Sequence, residues 1–204
     1  MNEALREAEF GNGKVARHGA AAAMVSAPTR DVQTLAALAL AQSGDSLKAQ
    51  KISDDLAQRY PLDTLINGYW LLTIRAAIEL DHNNPAEALK LLQEAASYEL
   101  GANQFTAADA APLYPVYLRG EAYLRLHRGT EAAVEYQKFV DHWGAVRTFP
   151  LGALARLGLA RAHAMQGAPA KAHIAYQDFL TLWKDADPDI PILKQARAEY
   201  AKLQ

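Results

Sequence analysis

The stretch Tyr136-Gln137-Lys138-Phe139-Val140-Asp141-His142-Trp143 returns forty residues later as Tyr176-Gln177-Asp178-Phe179-Leu180-Thr181-Leu182-Trp183. Tyr, Phe and Trp at i, i+3 and i+7 fall on one face of a helix, so each copy is an apolar seam that must be covered. A period of this length belongs to stacked helical hairpins, which bury their apolar faces only against one another. The chain is therefore expected to be all-α, a solenoid of antiparallel helix pairs, with the seams as core.

A second pattern runs in phase with the first. Small residues at Ala4, Ala37, Ala76, Gly120 and Gly158 are followed by Ala16, Ala49, Ala88, Ala132 and Ala172, twelve residues on in four pairs and fourteen in the last. Two helices of a hairpin approach most closely at one level, where only Gly or Ala fits. Between the members of each pair stand turn signals: Gly11-Asn12-Gly13, Gly44-Asp45, Asn83-Asn84-Pro85, Gly129 and Gly167-Ala168-Pro169. Gly and Asn end a first helix, while Pro or Asp opens the next. Pro28, Pro61 and Gly144 then close second helices, and the fourteen-residue interval puts two extra residues in the last turn.

These signals predict helices over 2–10, 14–26, 30–43, 46–59, 63–82, 85–98, 112–127, 130–142, 149–166, 169–183 and 191–203, in repeats of about 1–28, 30–61, 63–100, 112–144 and 149–185. The helix over 191–203 is expected to cap the last pair. Residues 99–111 form a long connection of the kind that often carries binding function. Ala4 holds a mid-helix place, so a turn of helix is expected ahead of Met1, and the chain is read as the C-terminal part of a longer protein.

Composition narrows the function classes. A net charge of −2 gives no global field for nucleic acid or anionic lipid. The chain has no cysteine, which excludes disulfides, thiol catalysis and thiolate metal sites. It has no apolar run long enough to span a membrane, and Met1 to Glu7 lacks the basic and apolar blocks of a signal peptide.

With Gly120 as the small eighth place, Tyr123, Ala132, Tyr136 and Phe139 fill the Tyr, Ala, aromatic and final apolar places of a tetratricopeptide repeat, and Pro28 and Pro61 match its closing proline. The chain resembles that family over nearly all of residues 4–183, with Leu40 and Glu79 where the family has Tyr. A closer likeness lies in Leu113-Tyr114-Pro115-Val116-Tyr117-Leu118-Arg119-Gly120-Glu121-Ala122-Tyr123 and in Asp185-Ala186-Asp187-Pro188-Asp189-Ile190-Pro191-Ile192-Leu193-Lys194. These stretches resemble the C-terminal repeat region of acidobacterial serine/threonine protein kinases, and of some winged-helix regulators. The resemblance implies a right-handed superhelix and a non-catalytic scaffold or sensor role in signal transduction. That role would be played in the cytoplasm or outside it, on a membrane-anchored kinase. The Gly-rich loop, strand lysine, His-Arg-Asp and Asp-Phe-Gly elements of a kinase domain are missing from this chain, so kinase activity would belong to another portion.

Catalytic constellations are weak by comparison. The six histidines never pair at i, i+4 around a glutamate, although His163 and His173 sit on opposite arms of one hairpin. Asp54-Asp55 reads as a solvated helix face, and Asp185, Asp187 and Asp189 as helix capping without the glycine and distal glutamate of a calcium loop. No cofactor or metal is expected.

In the tetratricopeptide family, partner peptides lie along the concave face made by the first helices. Counted from the eighth place, the resemblance implies a groove of Tyr114, Tyr117, Glu121 and Arg125, with Arg156 and His163 in the next repeat. Asp31, Thr34 and Gln42, and then Trp70, Thr73 and Asp81, come from two earlier repeats. Tyr and Arg dominate binding energy at interfaces, and two arginines favour an acidic or phosphorylated segment. The partner is thus a protein or peptide, or a second copy of the chain.

Overall fold

The computed structural model describes residues 1–100, 113–146 and 149–203, and among them there are helices and turns but no strand. In order these are α1 (Asn2–Glu9), α2 (Gly13–Ser26), α3 (Arg30–Gln42), α4 (Ser46–Arg59), α5 (Leu71–Asp81) and α6 (Pro85–Ala95). Then follow α7 (Tyr114–Arg125), α8 (Gly129–Asp141), a short α9 (Trp143–Val146), α10 (Leu151–Met165), α11 (Pro169–Leu182) and α12 (Pro191–Ala201). Most of the long connection expected over 99–111 lies outside the described residues.

One turn geometry recurs five times. A residue with a left-handed backbone follows each first helix: Gly11 (φ 86°), Gly44 (81°), Asn83 (60°), His127 (57°) and Gly167 (69°). The next residue donates its N–H to the carbonyl five positions back, Asn12 to Glu7, Asp45 to Leu40, Asn84 to Glu79, Arg128 to Tyr123 and Ala168 to His163, at 2.8–3.0 Å. This closure satisfies helix-end carbonyls and fixes where the second helix starts. Gly129, the expected turn signal of the fourth hairpin, is instead the first residue of α8, and His127 takes the left-handed place. Gly129 is there for clearance: a Cβ on it would lie 2.9 Å from the Ala162 carbonyl oxygen. A side chain at positive φ costs free energy that glycine avoids, so His127→Gly is expected to stabilise the fold by about 1 kcal/mol. A thermal melt that does not rise would contradict this geometry.

The same closure corrects the register of the last hairpin. Three residues before each accepting carbonyl stand Ala4, Ala37, Ala76, Gly120 and Ala160, and nine after it stand Ala16, Ala49, Ala88, Ala132 and Ala172. The interval is twelve in all five, every one of these alanines is at most 2% exposed, and no extra residues enter the last turn. Ala160, not Gly158, is the counterpart of Gly120. Gly158 has a different task, since the Tyr136 ring lies between it and Gly120. A Cβ would stand 2.4 Å from that ring at Gly158 and 2.5 Å at Gly120.

Two expected boundaries also shift. Gly144 does not terminate a helix but sits within α9. The predicted helix over 63–82 opens on a π-helical turn, Ile66–Trp70. There Gly68 admits the Tyr98 ring, which a Cβ would meet at 2.6 Å. Asp187 accepts the Asp189 N–H at 2.9 Å, but α12 begins after Ile190 with no side-chain cap.

Helices pack as α1 on α2, α3 on α4, α5 on α6, α7 on α8 and α10 on α11, and each first helix also touches the next: α1 on α3, α3 on α5, α5 on α7 and α7 on α10. Tyr136, Phe139, Tyr176 and Phe179 are all at most 3% exposed, as a core seam requires. Trp143 departs from its seam and is 72% exposed, because α8 ends at Asp141 and α9 turns the chain away.

Near the middle of the chain, Arg119 is buried and donates to Glu99 and Glu135 carboxylates (2.8 and 2.9 Å) and to the Leu92 carbonyl oxygen (3.1 Å). Lys138 adds a bond to Glu135 at 2.8 Å. The two ends of the chain also meet. Phe10 packs edge-on against Trp183 with centroids 4.9 Å apart, and Ile192 donates its N–H to the Phe10 carbonyl at 3.2 Å.

Candidate functional site

Counting two residues past the accepting carbonyls of the first four hairpins gives Glu9, Gln42, Asp81 and Arg125, and these four line one hollow of about 180 Å³, while the fifth count falls on Met165, outside that lining. They converge because equivalent places on neighbouring first helices face the same side. Tyr117 and Glu121 of α7 complete the polar lining, while Ala8, Ala41, Ala77, Leu80 and Leu118 form apolar walls. The inner face is thus a small chamber rather than the long open trough expected. The N-terminal hairpin bends toward the far end of the chain, and Tyr114 of α7 donates its hydroxyl to Glu9 of α1.

Electrostatics in the chamber are set by burial. Glu9 keeps some exposure as a residue, but its carboxyl is covered, and its Oε2 has no hydrogen-bond partner among the described residues. Burial pushes this carboxyl up to about 8, against the smaller opposing effects of the Tyr114 hydroxyl and Arg6. Tyr114 is pushed up by burial and then by Glu9, and Tyr117 by burial and then by Glu121. Gln42 Oε1 is a second buried acceptor without a partner among the described residues. Asp81 accepts from Ser46 Oγ at 2.6 Å, Glu121 accepts from the Tyr136 hydroxyl at 2.6 Å, and Arg125 donates to the Leu80 carbonyl.

Glu9 makes stability depend on pH with a definite sign. Its folded value is raised from 4.5 to about 8, so between those values the folded protein holds a proton that the unfolded chain has released. The contribution is fully present below the ordinary carboxylate range and is lost as pH climbs toward 8. It amounts to a few kcal/mol at roughly 1.4 kcal/mol per unit. Urea unfolding at pH 5 and pH 8 is expected to show this loss in the wild type and to show it reduced in Glu9→Gln. Equal losses in both would refute the burial of the carboxyl.

Of the expected groove residues, Gln42, Asp81, Tyr117, Glu121 and Arg125 come together here. Four others are core rather than groove. Trp70, Thr73, Thr34 and Tyr114 are each fully buried. Thr34 and Thr73 bond back to the carbonyls of Arg30 (2.9 Å) and Tyr69 (2.6 Å), and Trp70 packs against the Tyr69 and Tyr114 rings. Asp31 is engaged with Arg30 at the start of α3, at 3.0 Å. Arg156 and His163, which follow from Gly158 as the eighth place, do not line the chamber. In the corrected register their places fall on Gly158 and Met165, and Arg161 is the counterpart of Glu121; it pairs with Glu199 of α12 at 2.9 Å and lies in the field of Glu121 and Tyr117. Glu9 was legible by the same count, since Ala4 precedes it by five residues as Ala37 precedes Gln42.

Arg156 lines a second, aromatic hollow of about 420 Å³ with Phe10, Phe139, Trp143, Phe149 and Trp183. Arg156 spends one N–H on the Gly152 carbonyl at 2.8 Å and, among the described residues, is the one charged member of this lining. Trp143 (72% exposed) and Leu182 (58%) border it, an apolar surface that water does not favour.

No protein-family model matches this chain, nor does any curated protein or solved structure.

Proposed function

We propose that the chain is a non-catalytic scaffold of tetratricopeptide type that holds a protein or peptide partner, acting as the repeat region of a bacterial serine/threonine kinase in signal transduction. The recurring turn and its twelve-residue register support the repeat reading, and the Leu113–Tyr123 and Asp185–Lys194 stretches support the kinase context. The observation that carries the binding role is the aromatic hollow, where exposed Trp143 and Leu182 flank a cleft with one guanidinium at Arg156. Aromatic anchors beside Arg156 suit a segment with an aromatic or aliphatic side chain next to a carboxylate or phosphate.

Selection from a displayed random peptide library tests this. The expected result is enrichment of peptides pairing an apolar anchor with an acidic residue, and at least a ~10-fold loss of their affinity in Trp143→Ser and in Arg156→Glu. Absence of enrichment, or peptides that bind Arg156→Glu unchanged, would overturn the reading. Self-association through the same face is checked by sedimentation, where a dimer dissolved by Trp143→Ser would assign the hollow to a second copy instead.

A further inference from the structure

We infer that the inner chamber is a binding site for a primary ammonium group, the head of a small alkylamine or of a lysine side chain. Two buried oxygens, Glu9 Oε2 on α1 and Gln42 Oε1 on α3, belong to residues that line the same hollow, and neither has a hydrogen-bond partner among the described residues; Gln42 Oε1 is an acceptor throughout, and Glu9 Oε2 becomes one when its carboxyl ionises. Buried acceptors are nearly always satisfied, so two around one cavity call for a donor that enters it. An ammonium carries three donors and no acceptor, and Asp81 and Glu121 on the same walls offer carboxylates for the third.

The balance of charge points the same way. Three carboxyls, Glu9, Asp81 and Glu121, line the hollow with one guanidinium, that of Arg125, which already donates to the Leu80 carbonyl, while Arg6 and Arg161 act on Glu9 and Glu121 from outside the lining. Among the described residues no group of His, Cys, Asp or Glu is placed to hold a metal ion, which favours an organic cation. A chamber of about 180 Å³ takes a head group and a short stem, not a folded segment. Its alanine and leucine walls suit an alkyl stem.

Binding should also move a proton. Glu9 is faced by Arg6 on its own helix, by Tyr114, Tyr117, Glu121 and Arg125 of α7, and by Asp81 of α5. At neutral pH it holds a proton, which an entering cation displaces to solvent by favouring the carboxylate.

The test is calorimetric titration of n-butylammonium and, separately, of Nα-acetyl-lysine methylamide into the full chain, with n-butanol as the uncharged control. The expected result is saturable binding of an amine but not of butanol, with proton release at pH 7 seen by comparing two buffers of different ionisation heat. In Glu9→Gln, affinity falls ~10-fold or more and the proton release disappears, while the melting temperature stays at or above that of the wild type. Butylammonium binding alone assigns the chamber to free amines, and binding of the lysine derivative alone assigns it to a partner's side chain. Either supports the site. If neither binds, or Glu9→Gln binds both unchanged, the proposal fails and water is the donor. Glu9→Gln changes no residue that lines the aromatic hollow, so this outcome is independent of the peptide selection.

Discussion

Arg119→Met is expected to destabilise the protein by about 3–5 kcal/mol, because it strands Glu99 and leaves Glu135 with Lys138 alone, and both carboxylates have little access to water. Glu99 and Glu135 side chains are each 11% exposed and the Arg119 side chain 4%, so the guanidinium is their main compensation. At this chain length the melting temperature should fall by roughly 10 °C. The triple variant Arg119→Met, Glu99→Gln, Glu135→Gln should recover much of the loss, since removing all the charges also removes their desolvation cost. Urea unfolding followed by helicity measures both. A change within ~1 kcal/mol for the single variant would show that the cluster is solvated.

Gly158→Ala is the second large effect. The added methyl would stand 2.4 Å from the Tyr136 ring, which is fully buried, tied to Glu121 by its hydroxyl and backed by Gly120 on the other side. A ring so confined cannot move aside, so overpacking is expected to cost about 2–3 kcal/mol. Tyr136→Leu in the same chain should make the pair strongly non-additive, because the clash is then gone. Gly144→Ala is the control: nothing lies within 4 Å of its would-be Cβ, and in α9 it should be neutral or slightly stabilising. A Gly158→Ala protein as stable as the wild type would mean that α8 and α10 do not meet at this level.

The sequence by itself determined that the chain is helical, where the five turns fall and four of the five small-residue pairs twelve apart, because each rests on contacts within one hairpin and so leaves a local trace. Ala4 and Ala16, or Ala76 and Ala88, are near neighbours along the chain and are fully legible there. Gly158 and Ala160 are both small, and only the Tyr136 ring from another hairpin decides which sits at the hairpin's closest approach and which makes room for an aromatic. Trp143 was likewise part of a core seam by spacing, and the chain's change of direction after Asp141 exposed it. Above all, Glu9 and Tyr114 are 105 residues apart and meet only because the first hairpin folds back over the inner face. That closure depends on how small angles between successive hairpins add up, which no local pattern records, and it turned an expected groove into a chamber.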